Sequence, residues 1–402
     1  MEVKQIATIL NETIIPEIKG ESDIQVNEDL SNIVTVGKDV SQYLTIGNNV
    51  DNAVKAVLNK VGKTINWNRP YIGMSPNILR ESWEYGSILE KNRTQLSDYS
   101  ENPTYKLENG TDYLDGKYYA PSVSSKLFNK STTFEIDTSF AEKQFRESVT
   151  TADGISSFFG MIESRMRDSL TFAIDGLTMR VLNNFALEHF KAGKGVVNLL
   201  AMYNTTYSTS LTAAEAATNA AFLRFAAYQI LLFKSRMRGM GRQFNIDSFD
   251  THTPYERQML IMHSDYAKGI DIYLQSDTYH NELTSIGEYR DVPYWQSAKG
   301  FTYTNSTSIA GKPASGEWTH ESTVYDRVSC GGVIGMLIDR DACAICREEI
   351  RTTTQFVPRA EFFTNFTKQT CSYLNDLAEN GIIFTLENPI GHAKENEAKR
   401  KK

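Results

Sequence analysis

The sequence predicts an α+β fold in which several lobes are strung along one long helix. Three observations point to it. Residues 153–190 keep apolar side chains at spacings of three and four over the longest uninterrupted stretch of the chain. Strand-like runs lie on both sides of that stretch, and strand and helix patterns mix between residues 193 and 345. A chain of 402 residues with 41% apolar and 23% charged residues can hold two or three lobes, each with its own core.

The elements follow in chain order. Residues 1–60 are amphipathic but interrupted: "VKQIATILNETIIPEI" is helix-like until Pro16, and "DNAVKAVLNKVGK" is a short helix closing at Gly62. The intervening "VTVGKDVSQYLTIGNNV" is too broken for a compact core, so this region reads as an extended arm that packs on something else. Within residues 61–85, Ile65-Asn66-Trp67-Asn68 alternates apolar and polar and stops at Pro70, a strand signal. Residues 86–135 are mostly polar and rich in turns. In "YKLENGTDYLDGKYY" the dipeptides Asn109-Gly110 and Asp115-Gly116 separate short Tyr- and Leu-bearing runs, the chemistry of tight hairpin turns. After Pro121 strand character resumes, and Phe134 and Ile136 alternate with Glu135 and Asp137. A long hairpin is therefore expected to project between two core-forming strands, with too few apolar residues to build a core itself.

Residues 136–192 are dominated by the long helix. Ile155, Phe158, Phe159, Ile162, Met166, Leu170, Ile174, Leu177, Val181 and Phe185 form its stripe, Asp153 is a plausible N-cap, and Gly193 follows its end. Some 36 residues at ~1.5 Å each give a rod of roughly 54 Å. The stripe is not a 3.5-residue seam, so a spine lying on a sheet is preferred to a coiled coil. Residues 193–345 read as a compact α/β lobe. Its parts are a helix from the capping box Thr212-Ala213-Ala214-Glu215 to Gly239 or Gly241, a buried strand at 258–264, one or two short helices in "DYAKGIDIYLQSDTYHNEL", and strands in "DVPYW" and "GGVIGMLIDR". Over residues 346–388, "EEIRTTTQFVP" and "EFFTNFTKQTCSYL" are long strand candidates and "GIIFTLE" closes the fold. Residues 389–402, ending "HAKENEAKRKK", are polar and mixed in charge, and read as a disordered tail.

Composition excludes some functions. A net charge of −7 argues against a nucleic-acid binder, with the tail at 392–402 the exception in its basic residues. The start has no basic segment followed by an apolar one, so no signal peptide is expected. No apolar run approaches the ~18 residues that span a bilayer, so no membrane partner is expected. The four cysteines are expected to be reduced thiols.

Candidate chemistry is thin. Cys343-Ala344-Ile345-Cys346 has the spacing of a redox pair or half a zinc site, but the other cysteines, Cys330 and Cys371, form no second pair. Asp339, Asp341, Glu348 and Glu349 flank the pair, and acidic neighbours raise a thiol pKa where a reactive thiolate needs it lowered. The two thiols are read as small buried apolar residues on one face of a turn, and a CxxC-dependent zinc or redox protein is the alternative of another class. The six histidines are unclustered, although "FDTHTPYE" and "MHSDYAK" each set one near an aspartate. "KAGKGVVN" lacks the spacing of a phosphate loop and reads as a helix stop. No catalytic residue, metal ligand or cofactor site is assigned.

The order of these parts resembles the major capsid protein of tailed bacteriophages, with the HK97-like fold of N-arm, E-loop, spine helix, axial (A) domain and peripheral (P) domain. In detail it resembles the capsid proteins of short-tailed phages of Gram-positive bacteria, the phi29-like and picovirus group. The resemblance rests on "NVDNAVKAVLNKVGKTINWNRP", on "MLIMHSDYAKGIDIYLQSDTYHNEL" and on the stretch from "GGVIGMLIDRDACAICREE" to "ENGIIFTL", in order over about residues 45–388. It implies an N-arm at 1–60, a P-domain strand region at 61–85, an E-loop at 86–135, P domain with spine helix at 136–192, an A domain at 193–345 and returning P-domain strands at 346–388.

The resemblance also implies a structural, non-enzymatic role. Copies of the chain would self-assemble into pentamers and hexamers of an icosahedral head, located in the virion capsid and built in the bacterial cytoplasm. Expected partners are other copies, a portal protein at one vertex, and packaged double-stranded DNA held without sequence-specific contact. No large scaffolding region precedes the arm, which implies a separate scaffolding protein, and no immunoglobulin-like domain follows Leu386. The Lys–Asn cross-link of one branch of the fold is assignable to no residue here. An encapsulin shell shares the fold and is the second expectation. A polar hairpin without a core gains stability by lying on a neighbouring subunit, and Tyr105, Lys106, Glu108, Asp112, Tyr113, Lys117 and Tyr118 are its expected contact residues.

Overall fold

The computed structural model describes residues 76, 78–80, 89–97, 107–111, 120–141, 152–275, 286–296, 306–320 and 323–393. The expected arm over 1–60 and the strand at 65–68 lie outside them. The described residues fall into two compact units. One is drawn from 1–82, 131–178 and 345–372, the other from 83–130, 179–344 and 373–402.

In the first unit the organising strand is β14 (Phe362–Asn375). Its residues 362–372 pair antiparallel with all of β4 (Ser131–Ala141), and residues 362–368 pair on the other side with β13 (Arg351–Val357). The sheet is extended by β12 (Cys343–Arg347), whose Ile345 and Cys346 run parallel to Leu79 and Arg80 of β1 (Leu79–Arg80). Alternation produces these strands: β4 shows every second residue more buried than its neighbours. Phe363 is fully buried and stacks between Phe140 at 5.6 Å and Phe356 at 4.7 Å. Hydroxyl pairs Thr133–Thr370 and Ser139–Thr364, each at 3.1 Å, tie β4 to β14 across the strands.

Helix α1 spans Ala152–Ala192, so the long helix is present and ends at Gly193, which takes φ +63°. Met166, Leu170, Ile174 and Leu177 of its stripe are buried, as are Val181 and Phe185 further on. The side chains of Ile155, Phe158, Phe159 and Ile162 lie outside the described residues.

The second unit contains a five-stranded sheet in the order β5 (Val196–Asn198), β15 (Gly381–Thr385), β11 (Val333–Asp339), β6 (Gln258–His263) and β7 (Arg290–Val292). The inner pairs are antiparallel and the two edge pairs parallel. β11 is buried at every residue, which is why "VIGMLID" reads as a continuous apolar run and not an alternating one. Helices α2 (Leu199–Tyr207), α4 (Ala220–Arg236) and α5 (Ser264–Gln275) cover the sheet through one core cluster that includes Phe222, Leu223, Ile230, Tyr266, Ile334, Leu337 and Phe384. Trp295, also fully buried, donates from Nε1 to the Val333 carbonyl at 2.9 Å.

Two expectations are corrected here. The helix expected to run unbroken from Thr212 is two helices, α3 (Ala213–Ala216) and α4. The capping box does form, with Glu215 accepting from the Thr212 amide at 3.1 Å, but Asn219 then accepts from the Phe222 amide and caps a fresh helix. The tail expected to be disordered from residue 389 instead supplies β16 (Ile390–Ala393), which pairs antiparallel with β10 (Thr323–Cys330). Strand β10 also carries β8 (Ile309–Gly311) and β9 (Trp318–His320), and β16 completes that four-stranded sheet by satisfying backbone groups along β10.

Candidate assembly surface

Within residues 86–135 the structure shows a two-stranded antiparallel ribbon of β2 (Leu89–Thr94) and β3 (Val123–Phe128), which belongs to the second unit. The sequence "LEKNRT" alternates, so one face of β2 carries Leu89, Lys91 and Arg93 and the other Glu90, Asn92 and Thr94. In β3, Ser124, Lys126 and Phe128 share the inner face with Leu89, Lys91 and Arg93. The outer face exposes Val123 and Leu127, at 63% and 64% of their surface.

The pairing register sets Lys91 directly opposite Lys126. Like charges facing each other across a strand pair destabilise it. Carboxylates from elsewhere in the unit resolve this. Asp376, 1% exposed, accepts from Lys91 at 2.9 Å and from Arg93 at 2.7 Å, and its other oxygen lies 3.8 Å from the Lys126 Nζ. Glu379 accepts from Arg93 at 2.6 Å and from Lys91 at 3.4 Å. Lys126 also meets Asp247 at 2.9 Å in a more exposed pair that contributes little. Lys91 further donates to the Asp341 carbonyl at 3.2 Å. The Arg93 guanidinium sits 6.0 Å from the Phe249 ring centroid.

Asp376 is held from behind. Its amide donates to the Ala342 carbonyl at 2.8 Å, and its Oδ1 accepts from the Ala378 amide at 3.2 Å. By contrast the apolar seat of the ribbon among the described residues is small: Phe128 and Leu89 pack on Ala344 and Leu374. Beside it a cleft of about 250 Å³ is lined by Lys126, Phe128, Lys130, Glu188, Tyr373 and Leu377, among others.

Of the seven expected contact residues, Glu108 is exposed at the Asn109-Gly110 turn, which closes with the Thr111 amide donating to the Glu108 carbonyl at 3.4 Å. Gly110 takes φ +86°, the conformation a type II turn requires at its third position. Tyr105, Lys106, Asp112, Tyr113, Lys117 and Tyr118 lie outside the described residues. Sequence reasoning missed Lys91, Arg93, Lys126, Asp376 and Glu379 altogether. The available signal was a strand whose inward face carries two cations in alternate positions.

The cysteine pair is not on a turn. The turn is complete by Ala342, and Cys343 and Cys346 are both buried in β12. Three residues apart on a strand, they point to opposite faces. Burial pushes the Cys343 thiol well up, with the Asp376 carboxylate adding to it, and also raises Cys330 to about 12 and Cys371 to about 11. The acid acting on Cys343 is thus Asp376 and not its sequence neighbours. Among the described residues no group of three His, Cys, Asp or Glu side chains is placed to hold a metal ion. His263 is buried, with its Nδ1 3.7 Å from Asp265, and desolvation lowers its pKa. No described helix is long and apolar enough to cross a membrane.

Comparison with known proteins gives one family. Residues 10–385 match the model of the phi29-like phage major capsid protein. No curated protein matches the sequence. Among solved structures, the capsid of Staphylococcus phage Andhra is similar over 79% of this chain and 85% of its own, at 9% identity and a TM-score of 0.49. A structure of native bacteriophage P68, described by its head fibre and inner core protein, covers 80% and 87%, at 9% identity and a TM-score of 0.47. The capsid of cyanophage P-SCSP1u covers 79% and 89%, at 13% identity and a TM-score of 0.42.

Proposed function

This chain belongs to the phi29-like phage major capsid protein family, and from that premise we propose that its copies close into pentamers and hexamers through the projecting ribbon. It is the major capsid protein of a tailed phage, a structural protein located in the virion capsid, where copies build a multimeric shell. The match over residues 10–385 carries this reading, and the element order is consistent with the HK97-like fold.

The finer parts of the reading rest on physical argument. Head-to-tail contacts between identical subunits close into rings, and rings tile a shell. Each contact can be modest because many act together. The ribbon suits such a contact: its outer face is exposed, with Val123 and Leu127 on it, and its turn at Glu108 is fully polar. Residues 86–130 are the E-loop of this reading, since 131–135, expected in that loop, pair with β14 instead, and Tyr105, Lys106, Glu108, Asp112, Tyr113, Lys117 and Tyr118 are its contacts with the neighbouring copy. A separate scaffolding protein guides closure, a portal occupies one vertex, and double-stranded DNA is packaged without sequence-specific contact. The chain has no catalytic residue in this scheme.

The test is deletion of residues 105–118 in protein co-produced with its scaffolding partner. The expected result is a folded subunit, with wild-type far-UV circular dichroism per residue, that forms few or no closed shells in electron micrographs. Normal heads from the deletion variant would refute the contact assignment.

A further inference from the structure

We infer that Asp376 is the keystone of a releasable electrostatic latch that fixes how the β2–β3 ribbon is seated on its own subunit. The inference deepens the capsid reading and rests on it for the biological role of the ribbon. Three observations carry it. The inner face of the ribbon is basic, with Lys91 set opposite Lys126 and Arg93 beside them, so the ribbon repels itself unless an acid intervenes. The acid that intervenes belongs to the loop after β14, and one carboxylate group, almost fully buried, reaches all three cations. Among the described residues, the apolar contact under the ribbon is that of Leu89 and Phe128 on Ala344 and Leu374, beside a cleft of about 250 Å³.

Among the described residues the seat is therefore mainly charge, with a small apolar contact beside it. Burial of apolar surface is non-directional and survives small shifts. An ion cluster around a buried carboxylate is short-ranged and directional, and loss of one partner leaves the others partly buried and uncompensated. Such a seat has two states, engaged and released, with little between. Once released, the ribbon keeps only its own ladder from Leu89↔Phe128 to Thr94↔Val123, and an isolated two-stranded ribbon of this length is marginal in water, so its strands open together.

The test compares the wild-type chain with Asp376→Asn and Arg93→Met by amide hydrogen exchange of the unassembled subunit. Amides of residues 89–94 and 123–128 are expected to exchange roughly tenfold faster or more in both variants, while those of β6, β11 and β15 keep wild-type protection. Arg93→Met lies on the ribbon and keeps Asp376 with its two backbone bonds in the loop, so it guards against a folding defect caused by Asp376→Asn. Adding Lys91→Met and Lys126→Met to Asp376→Asn removes the stranded cations and is expected to recover part of the lost protection. Unchanged ribbon exchange in both single variants overturns the latch. So does equal loss of protection in the ribbon and in β6, β11 and β15 with Arg93→Met, which would make the cluster an ordinary part of the fold. Failure of the wild-type chain to form shells would count against the capsid reading and leave the exchange result standing.

Discussion

His189 makes the stability of the second unit depend on pH in a window that can be stated in advance. It lies near the end of α1, fully buried, with its ring 4.6 Å from that of Phe185. Its Nδ1 is 2.8 Å from the Lys194 carbonyl, so the neutral ring donates there, and its Nε2 is buried with no hydrogen-bond partner. Removal from water opposes protonation and lowers the pKa from 6.5 to about 4, against a smaller upward pull from the Lys194 carbonyl. Below pH 6.5 the unfolded chain takes up a proton that the folded chain refuses until about pH 4, so stability present above 6.5 is lost as the pH falls through that window. At about 1.4 kcal/mol per pH unit, the loss is about 3 kcal/mol.

Replacing His189 by Asn keeps a donor for the Lys194 carbonyl and removes the titration. Urea denaturation of wild type and His189→Asn at intervals from pH 7 to about pH 4.5 isolates the effect. The wild-type curve should fall toward the variant by about 2–3 kcal/mol. The comparison cancels His263, whose lowered pKa acts in the same sense, and Asp339, whose raised pKa acts in the opposite one. Parallel curves for the two proteins would refute the assignment of a neutral, buried His189.

Three further outcomes are expected. Gly195→Ala should lower the melting temperature by several degrees, from about 3 kcal/mol or more, because Gly195 holds φ +68° and an added Cβ would lie 2.3 Å from the Gly381 carbonyl oxygen. In thiol-reagent titration at pH 8, Cys330, Cys343 and Cys371 should stay unlabelled in the native subunit and react after unfolding, since burial raises all three pKa values. Phe172→Ser should leave subunit stability within about 0.5 kcal/mol in urea denaturation, because the ring is 79% exposed on α1.

The parts of the fold that were legible in the sequence are those with an unambiguous period. The stripe from Met166 to Phe185 gave α1, and the runs at 258–264 and 333–339 gave β6 and β11 because their apolar residues are continuous over strand length. The cysteine pair misleads because Asp339-Arg340-Asp341 does make a turn, and nothing in the spacing shows that it closes at Ala342 before the first thiol. "CAIC" is itself a short apolar run, and its burial at every position is what a strand between covered faces produces. The four-residue β16 is below the length at which any period can be seen. The charge cluster was hidden for another reason. Asp376 stands 285 residues from Lys91, and nothing local to either marks the other. A strand with an inward cation announces that an acid is required without saying where the chain will supply it.

That requirement also explains why the ribbon root is charged at all. Before a neighbouring copy arrives, a ribbon seated by a broad apolar face would expose that face whenever it lifted, and exposed apolar strands with two open edges pair indiscriminately. Lys91, Arg93 and Lys126 keep the inner face hydrated when free, and an edge-to-edge encounter between two such ribbons sets like charges together. Among the described residues the same cations meet a buried counterion at Asp376, with Glu379 beside it, so the seat is specific as well as soluble. The cost falls on the loop after β14, which must bury Asp376 in every copy: the Asp376 amide donates to the Ala342 carbonyl, and the carboxylate accepts from the Ala378 amide. A carboxylate so positioned is stable only with its cations in place, and the loop and the ribbon therefore hold each other in register.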